Sequence, residues 1–397
     1  MTGPLQGIRV LDLSRILSGP FCTMLLSDLG AEVVKVERPG SGDPARILGP
    51  RVGEDSAYFI SVNRGKKSIT IELSRKEGQA LVRAMAPSFD VLVENFMPGT
   101  MAKFGLDFTQ LSQVNPRLVY ASISGFGQDG PYADRPALDI IIQAMGGIMS
   151  VTGESPDRPM RPGASLGDST AGSFAALAVM SALWQRNSTG KGQHIDMSML
   201  DCQVTMMENA FSRYFATGQV PGPLGTRHPA AAPFQAFRAS DGNFVVALIT
   251  DDGDTWRRFC IAIGRADLGE DNRFTTNSGR NNNVALLAVI LEDIFGREPV
   301  SHWIGRMTEA GIPCGPVNDI KAVSEDPQIK HRNMLTAIPH ESAGDWRVAN
   351  TPFRFSEART GPAGPSPRLG EHTMQVLSHV LGLSKTKLES LRANGVI

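Results

Sequence analysis

Short, nearly continuous apolar runs recur along the first two hundred residues, separated by stretches of mixed polarity. The first, GIRVLDL at 7–13, leads to a Gly-Pro break at Gly19-Pro20. Residues 21–29 (FCTMLLSDL) then read as a helix that Gly30 closes at the usual C-terminal position. EVVKVE at 32–37 follows as a second strand. A strand, a helix and a strand in that order imply parallel strands. The alternation continues with SITIEL, a helix after Ser74, DVLVENF, a helix around 107–114 and LVYASISGFG. This pattern predicts a doubly wound α/β domain over residues 1–200.

Further along, 139–150 (DIIIQAMGGIMS) reads as a helix with Asp139 as its cap, and 169–186 as a buried helix of small apolar residues. HIDMSM is one more strand and 199–218 another helix. After about residue 219 the texture changes. PGPLGTRHPAAAP is a Gly- and Pro-rich joint, and QAFRASDGNFVVALI reads as a hairpin turning at Asp241-Gly242. Helical spacings at 254–264, 283–296 and 300–310 complete a smaller α+β domain. A second Pro-rich stretch, TGPAGPSP, precedes a helical tail.

Charge and composition narrow the classes. Lysine and arginine total 39 against 40 acids, a formal charge of −1 over 397 residues, with no run of like charge. No nucleic-acid or anionic-membrane surface is therefore expected, although a local cationic pocket for a phosphorylated small molecule is compatible with this balance. No apolar stretch reaches the roughly 18 residues of a membrane span. The chain enters its first strand without a basic and apolar leader, so a cytoplasmic protein is expected. Cys22, Cys202, Cys260 and Cys314 lie far apart, which argues against a disulfide framework or a zinc site. The histidines show no metal-binding spacing, so no metal is expected.

The first turn, RILSGP, is neither a GxGxxG fingerprint nor a phosphate loop. Arg38 sits after the second strand, where an acidic ribose ligand would be expected. A cation there suits a nucleotide with an added phosphate, and equally a solvated surface arginine. Asp168, in SLGDST before the buried helix, has two readings. One is a routine helix N-cap, worth roughly 0.5–2 kcal/mol; the other is a carboxylate that is ionised yet poorly solvated. His228 in GTRHP is either a loop cap or a site residue. The residues alone describe an α/β enzyme with a small-molecule site and leave its mechanism open.

The sequence GIRVLDLSRILSGPF, with GAEVVKVERPGSGDPAR, NRGKKSITIEL, VENFMPGT, SGFGQDGPYADRPALD, QAMGGIMSVTGE and PGASLGDSTAG, resembles the class III coenzyme A-transferases of the CaiB/BaiF type, the formyl-CoA and carnitine-CoA transferase family. TGKGQHIDMSML, GIPCGPV and LGEHT carry the resemblance through the second half. It implies an interlocked homodimer, with a Rossmann-like large domain formed from both chain ends. The implied divisions are 1–200 for its first part, a linker at 201–224, a small α+β domain at 225–330, and a return linker and C-terminal part at 331–397. It implies coenzyme A or an acyl-CoA as substrate, with no tightly bound cofactor, and a small carboxylate as acceptor.

The resemblance makes Asp168 the nucleophile that attacks an acyl-CoA thioester. It implies coenzyme A contacts from Leu17, Ser18, Arg38, Ile71, Leu73, Asn95 and Phe96, with Lys103 where some relatives carry arginine. Pro136 stands where the formyl-CoA branch has a basic residue, and neighbouring Arg135 is expected to take over that role. Gly225 and Thr226 are expected to supply oxyanion N–H groups, and Arg227 or Arg46, assisted by His228, to hold the acceptor's remote carboxylate. Leu48 and Leu138 replace aromatic residues of the formyl-CoA:oxalate branch, which points away from oxalate and towards short dicarboxylates. The family's racemases place a histidine in a GHD motif, whereas this chain has Ala137-Leu138-Asp139. A second proton-transfer base is thus missing there. A non-catalytic coenzyme A-binding dimer is a third reading, against which the presence of Asp168 argues.

Overall fold

The computed structural model describes residues 2–249 and 252–397. The chain divides into two compact units, one of residues 1–149, 161–219 and 328–397, the other of 150–160 and 220–327. Residues 150–160, expected in the large domain, therefore group with the second unit.

The first unit begins β1 (Arg9–Asp12), α1 (Ser18–Asp28) and β2 (Glu32–Glu37). A short hairpin of β3 (Arg51–Val52) and β4 (Asp55–Ser56) precedes α2 (Ala57–Asn63), β5 (Lys67–Thr70) and α3 (Lys76–Met85). Then come β6 (Val91–Glu94), α4 (Thr100–Phe104), α5 (Phe108–Leu111), β7 (Val119–Ser124) and α6 (Asp139–Met145). The series ends with α7 (Leu166–Thr189), β8 (His194–Ser198), α8 (Met199–Met206) and α9 (Glu208–Thr217). Six strands form one parallel sheet in the order β5-β2-β1-β6-β7-β8.

Both faces of this sheet are covered, which is why its central strands read as apolar runs rather than alternations. Val10, Val33, Val91 and Val119 pack with α1 and α7 on one face. Leu11, Val34, Leu92 and Tyr120 pack with α3 on the other. That second face is completed by Leu377 of α16 (Thr373–Leu381) and Leu388 of α17 (Lys385–Ala393), from the far end of the chain.

Several expectations are corrected. Gly19-Pro20 does not break the chain but lies in the first turn of α1, where a proline costs no intrahelical bond. The helix expected at 199–218 is two helices parted at Met207, and α8 buries Cys202 and Gln203 in the first unit rather than serving as a linker. Asp139 is not the cap of α6; Leu138 is, and Asp139 lies in the first turn. α7 is long and apolar enough on average to pass as a membrane span, with under half of that stretch buried. Ala171, Gly172, Ala175 and Val179 bury one face, while Leu177 and Trp184 stand 62% and 80% exposed on the other.

The second unit pairs β9 (Phe234–Arg238), β10 (Asn243–Ala247) and β11 (Cys314–Pro316) in an antiparallel sheet. Around it lie α10 (Gly253–Ala262), α11 (Asn277–Asn282), α12 (Val284–Phe295), α13 (Val300–Glu309) and α14 (Ile320–Glu325). Its core holds Phe237, Phe244, Trp256, Phe259, Phe295 and Trp303. α15 (Pro327–His331) leads back to the first unit, where β12 (Leu335–His340) and β13 (Gly344–Ala349) make a two-stranded ladder.

Candidate active site

In an open parallel sheet, ligands bind beyond the carboxyl ends of the strands where the strand order reverses. Here that point lies between β1 and β6, so the turn at 13–18 and the segment at 95–98 face each other. Each end of the turn is tied down. The Asn95 side chain accepts from the Arg15 N–H at 2.8 Å and donates to the Arg15 carbonyl at 2.8 Å. Asp43 accepts from the Ile16 N–H at 3.1 Å. Ile16 takes φ +65°, a left-handed conformation that a β-branched residue adopts only when its surroundings impose it.

Those surroundings are buried ions. The Lys35 ammonium donates to the Ser14 carbonyl at 2.7 Å and pairs with Asp43 at 2.9 Å. The Lys66 ammonium meets Asp12 and the Pro20 carbonyl at 3.0 Å, the Thr23 hydroxyl at 2.7 Å and Asn63 at 2.9 Å. Burial pushes the Asp12 carboxyl up, but Lys66, Lys35 and two hydroxyls outweigh it and hold the group well below the usual range. Burial also brings Lys66 down to about 8.

Arg46 belongs to this foundation. It forks onto Glu37 with two 2.7 Å bonds, donates to the Pro367 carbonyl at 3.1 Å and stacks 3.7 Å above Phe59. With its donors so engaged it is not placed to clamp a substrate carboxylate, which corrects that expectation.

Asp168 is the third residue of α7, not its cap. The N-cap, Ser165, makes no side-chain bond to the helix. The carboxylate of Asp139 fills that role, accepting the Gly167 N–H at 2.8 Å and the Asp168 N–H at 3.3 Å. The Asp168 carboxylate lies instead on the cavity wall with Ser18, at the start of α1, whose hydroxyl and backbone N–H favour its ionised form. Burial, with Asp139 adding to it, outweighs Ser18 and pushes this carboxyl up to about 6. The approach depends on Gly172, where a Cβ would meet the Ser18 carbonyl oxygen at 2.6 Å. An aspartate so placed is more basic than an ordinary carboxylate.

Two cavities flank the turn. One of about 360 Å³ is lined by Asp168, Asp139, Leu17, Ser18, Asn95, Arg135 and Leu138 among others. The other, of about 380 Å³, is lined by Arg38, Ile71, Leu73, Phe96 and Phe104 among others. Arg15, Pro44 and Phe96 line both, and the Arg15 guanidinium stacks 4.4 Å from the Phe96 ring. Arg38 is 70% exposed and held by Glu72 at 3.1 Å. Arg135 is exposed and stacks 3.9 Å from Tyr132. Lys103 is exposed on the last turn of α4, and its neighbour Phe104 reaches the cavity instead. Among the described residues no histidine lines the Asp168 cavity, and no three metal-ligating side chains are placed to hold an ion.

The loop at 225–228 belongs to the second unit. The Gly225 N–H is committed to the Gly153 carbonyl at 2.8 Å, so it is not a free oxyanion donor. The Thr226 hydroxyl accepts the Ala236 N–H at 3.0 Å. His228 stacks 4.8 Å from Phe234 and its Nδ1 accepts the Ala230 N–H at 3.1 Å, the loop-capping alternative. Arg227 is half-buried in the same loop.

Sequence reasoning missed Asp139 as the cap of α7, the Lys35 and Lys66 anchors, and Tyr58. Burial, then the charges of Asp168, Asp43 and Asp139, push the Tyr58 phenol up to about 12. For Asp12 and Lys35 a signal was present: both interrupt apolar runs at positions that the strand period turns inward.

The chain matches the family model for CoA-transferase family III over residues 5–373. It is 38% identical over 395 residues to the succinyl-CoA:glutarate CoA-transferase of Mus musculus, covering 99% of this chain and 90% of that protein. To the acetyl-CoA:oxalate CoA-transferase of Acetobacter aceti it is 44% identical over 334 residues, covering 84% and 85%. The crystal structure of a CaiB/BaiF family protein from Brucella suis aligns with a TM-score of 0.86 at 40% identity, covering 96% of this chain and 100% of that one.

Proposed function

This chain belongs to CoA-transferase family III, and we propose that it moves coenzyme A from an acyl-CoA, succinyl-CoA first, to a short dicarboxylate by way of Asp168. The observation that carries the reading is the Asp168 carboxylate itself. It lines a cavity at the sheet's switch point, does not cap its own helix, and is pushed by burial and by Asp139 up to about 6.

The Asp168 oxygen attacks the thioester carbonyl, forming a mixed anhydride and releasing the coenzyme A thiolate. The thiolate attacks the aspartyl carbonyl, giving an aspartyl-CoA thioester and the free donor acid. The acceptor carboxylate attacks that thioester and expels the thiolate again. Attack on the acceptor's acyl carbon then yields the new acyl-CoA and restores Asp168. Carboxylates are weak nucleophiles, but the thioester is activated and the retained thiolate acts at high effective concentration. Arg38, Ile71, Leu73 and Phe96 are assigned to the nucleotide and pantetheine, in the cavity joined to that of Asp168 by Arg15, Pro44 and Phe96.

We assign the working form to a homodimer, interlocked as the resemblance implies. The exposed apolar side chains of Leu177, Trp184 and Phe215 support a partner-covered surface. Oxalate stays among the acceptors to be tried, because the Acetobacter aceti relative is named for it. Leu48 and Leu138 therefore do not suffice to set it aside.

The test is transfer from succinyl-CoA to glutarate, mesaconate and oxalate, followed by chromatography and by mass spectrometry of the Asp168 peptide. Native protein is expected to form new acyl-CoA and an aspartyl-CoA adduct, and Asp168→Ala neither. Activity should fall as pH drops through about 6, because protonation removes the nucleophile. Transfer by Asp168→Ala at the native rate sinks the assignment.

A further inference from the structure

We propose that Asp139 is a positioning residue for Asp168: it takes the first-turn N–H groups of α7 and so leaves the neighbouring carboxylate to Ser18 and the cavity. The inference rests on the transfer reading above.

The first N–H groups of any helix lack intrahelical partners and attract a carboxylate. An aspartate in the first turn is the nearest candidate, and a carboxylate bonded to its own helix is turned away from substrate. In α7 those donors are already occupied. Asp139 Oδ1 accepts from Gly167 and Asp168, and Oδ2 accepts from the Gln143 side chain at 2.7 Å and faces Arg161 at 3.6 Å. Both oxygens are engaged, so Asp139 is an anchor and not a rival nucleophile. Gly167 makes room for it, since a Cβ there would stand 3.0 Å from Asp139 Oδ1.

The same carboxylate acts through charge. Other groups around Asp168 are Ser18 from α1, Tyr58 from α2, Arg161 beside Asp139, and Arg15 and Arg135 on the cavity wall. After burial, Asp139 is the neighbour that raises the Asp168 carboxyl. A more basic carboxylate is a better nucleophile while remaining largely ionised at neutral pH.

Asp139→Asn and Asp139→Ala separate the two contributions. The asparagine amide oxygen can still accept the Gly167 N–H, but the charge is gone. The acid limb of kcat/KM should then move from about 6 towards the ordinary 3.8. Asp139→Ala also frees the helix donors to recapture Asp168, and kcat should fall on the order of 100-fold with the donor KM little changed. Carbon-13 NMR titration of the Asp168 carboxyl, assigned by its loss in Asp168→Asn, reads the same shift without any turnover. A native-like Asp168 titration in Asp139→Asn overturns the proposal, as does a native kcat with an unmoved acid limb in Asp139→Ala. A shifted carboxyl titration in a protein that transfers no coenzyme A would leave Asp139 in its role and reject the transfer reading instead.

Discussion

Beneath the turn at 14–18 the first unit holds Asp12, Lys35, Lys66 and Asp43 almost wholly out of solvent, whereas the second unit fills its centre with Phe237, Phe244, Phe259, Phe295 and Trp303. Both are interiors, yet they do different work. A buried ion costs several kcal/mol to desolvate, and packed apolar side chains of similar volume are often as stable or more so. Rings bury large apolar areas and stack, and the one polar tip among these five, the Trp303 indole N–H, reaches the Phe295 carbonyl of its own core at 2.9 Å. The ions have directional bonds, and those bonds end on the Ser14 carbonyl, the Pro20 carbonyl and the Ile16 N–H. The charged interior therefore holds a strained turn against Asp168, while the aromatic one holds a domain together.

If that contrast is right, the largest combined effect belongs to Lys66→Met. It leaves Asp12 buried with its nearest cation gone, a loss of about 3–5 kcal/mol, and releases the Pro20 carbonyl in the first turn of α1. Urea unfolding should show the lower stability, and kcat should fall with it. The double variant Asp12→Asn with Lys66→Met removes the orphan charge, so stability should largely return while the rate stays low. A double variant recovering both would mean the ions serve stability alone and would erase the distinction.

The matching change in the other interior is Phe295→Leu. The Phe295 ring lies 4.9 Å from Phe244, 5.0 Å from Phe237 and 5.1 Å from Trp303. Losing these pairings costs about 2 kcal/mol, at roughly 0.5–1.5 kcal/mol for each pair. The midpoint of urea unfolding should drop, with kcat and its acid limb unchanged at temperatures where the protein stays folded. A lower kcat in folded protein would show that the aromatic interior also tunes chemistry.

The two interiors were unequally legible in the chain. Apolar runs announce a covered parallel sheet because both faces of its central strands are buried, while the edge strand β8 shows instead as an alternation, HIDMS, half-exposed along its length. The hairpin of β9 and β10 is as plain, from its Asp-Gly turn. The anchors of the site are not local in sequence. Asp139 reaches Gly167 across 28 residues, Lys66 reaches Asp12 across 54, and Arg46 reaches Pro367 across 321. No period in the chain encodes such pairings; only the sheet's register and the turn after it bring them together. Asp168 could be singled out, but whether it caps α7 turned on Asp139, a residue that the spacing assigned to another helix.

Arg46→Lys is the smallest of these changes and the one that decides a residue's allegiance. A lysine keeps the charge beside Glu37 but gives up the fork and the stacking on Phe59, a loss of about 1 kcal/mol. Burial pushes the Glu37 carboxyl up, and Arg46, with Lys35 and the Ser68 hydroxyl, more than offsets that and holds it below its ordinary 4.5. This stabilisation is present above that value and lost as pH falls through the lowered one, so the variant should lose most of its handicap in acid. The KM for the acceptor should not move, because both arms of the fork already grip Glu37. A rise in acceptor KM with unaltered unfolding would return Arg46 to the substrate and take one member out of the charged interior.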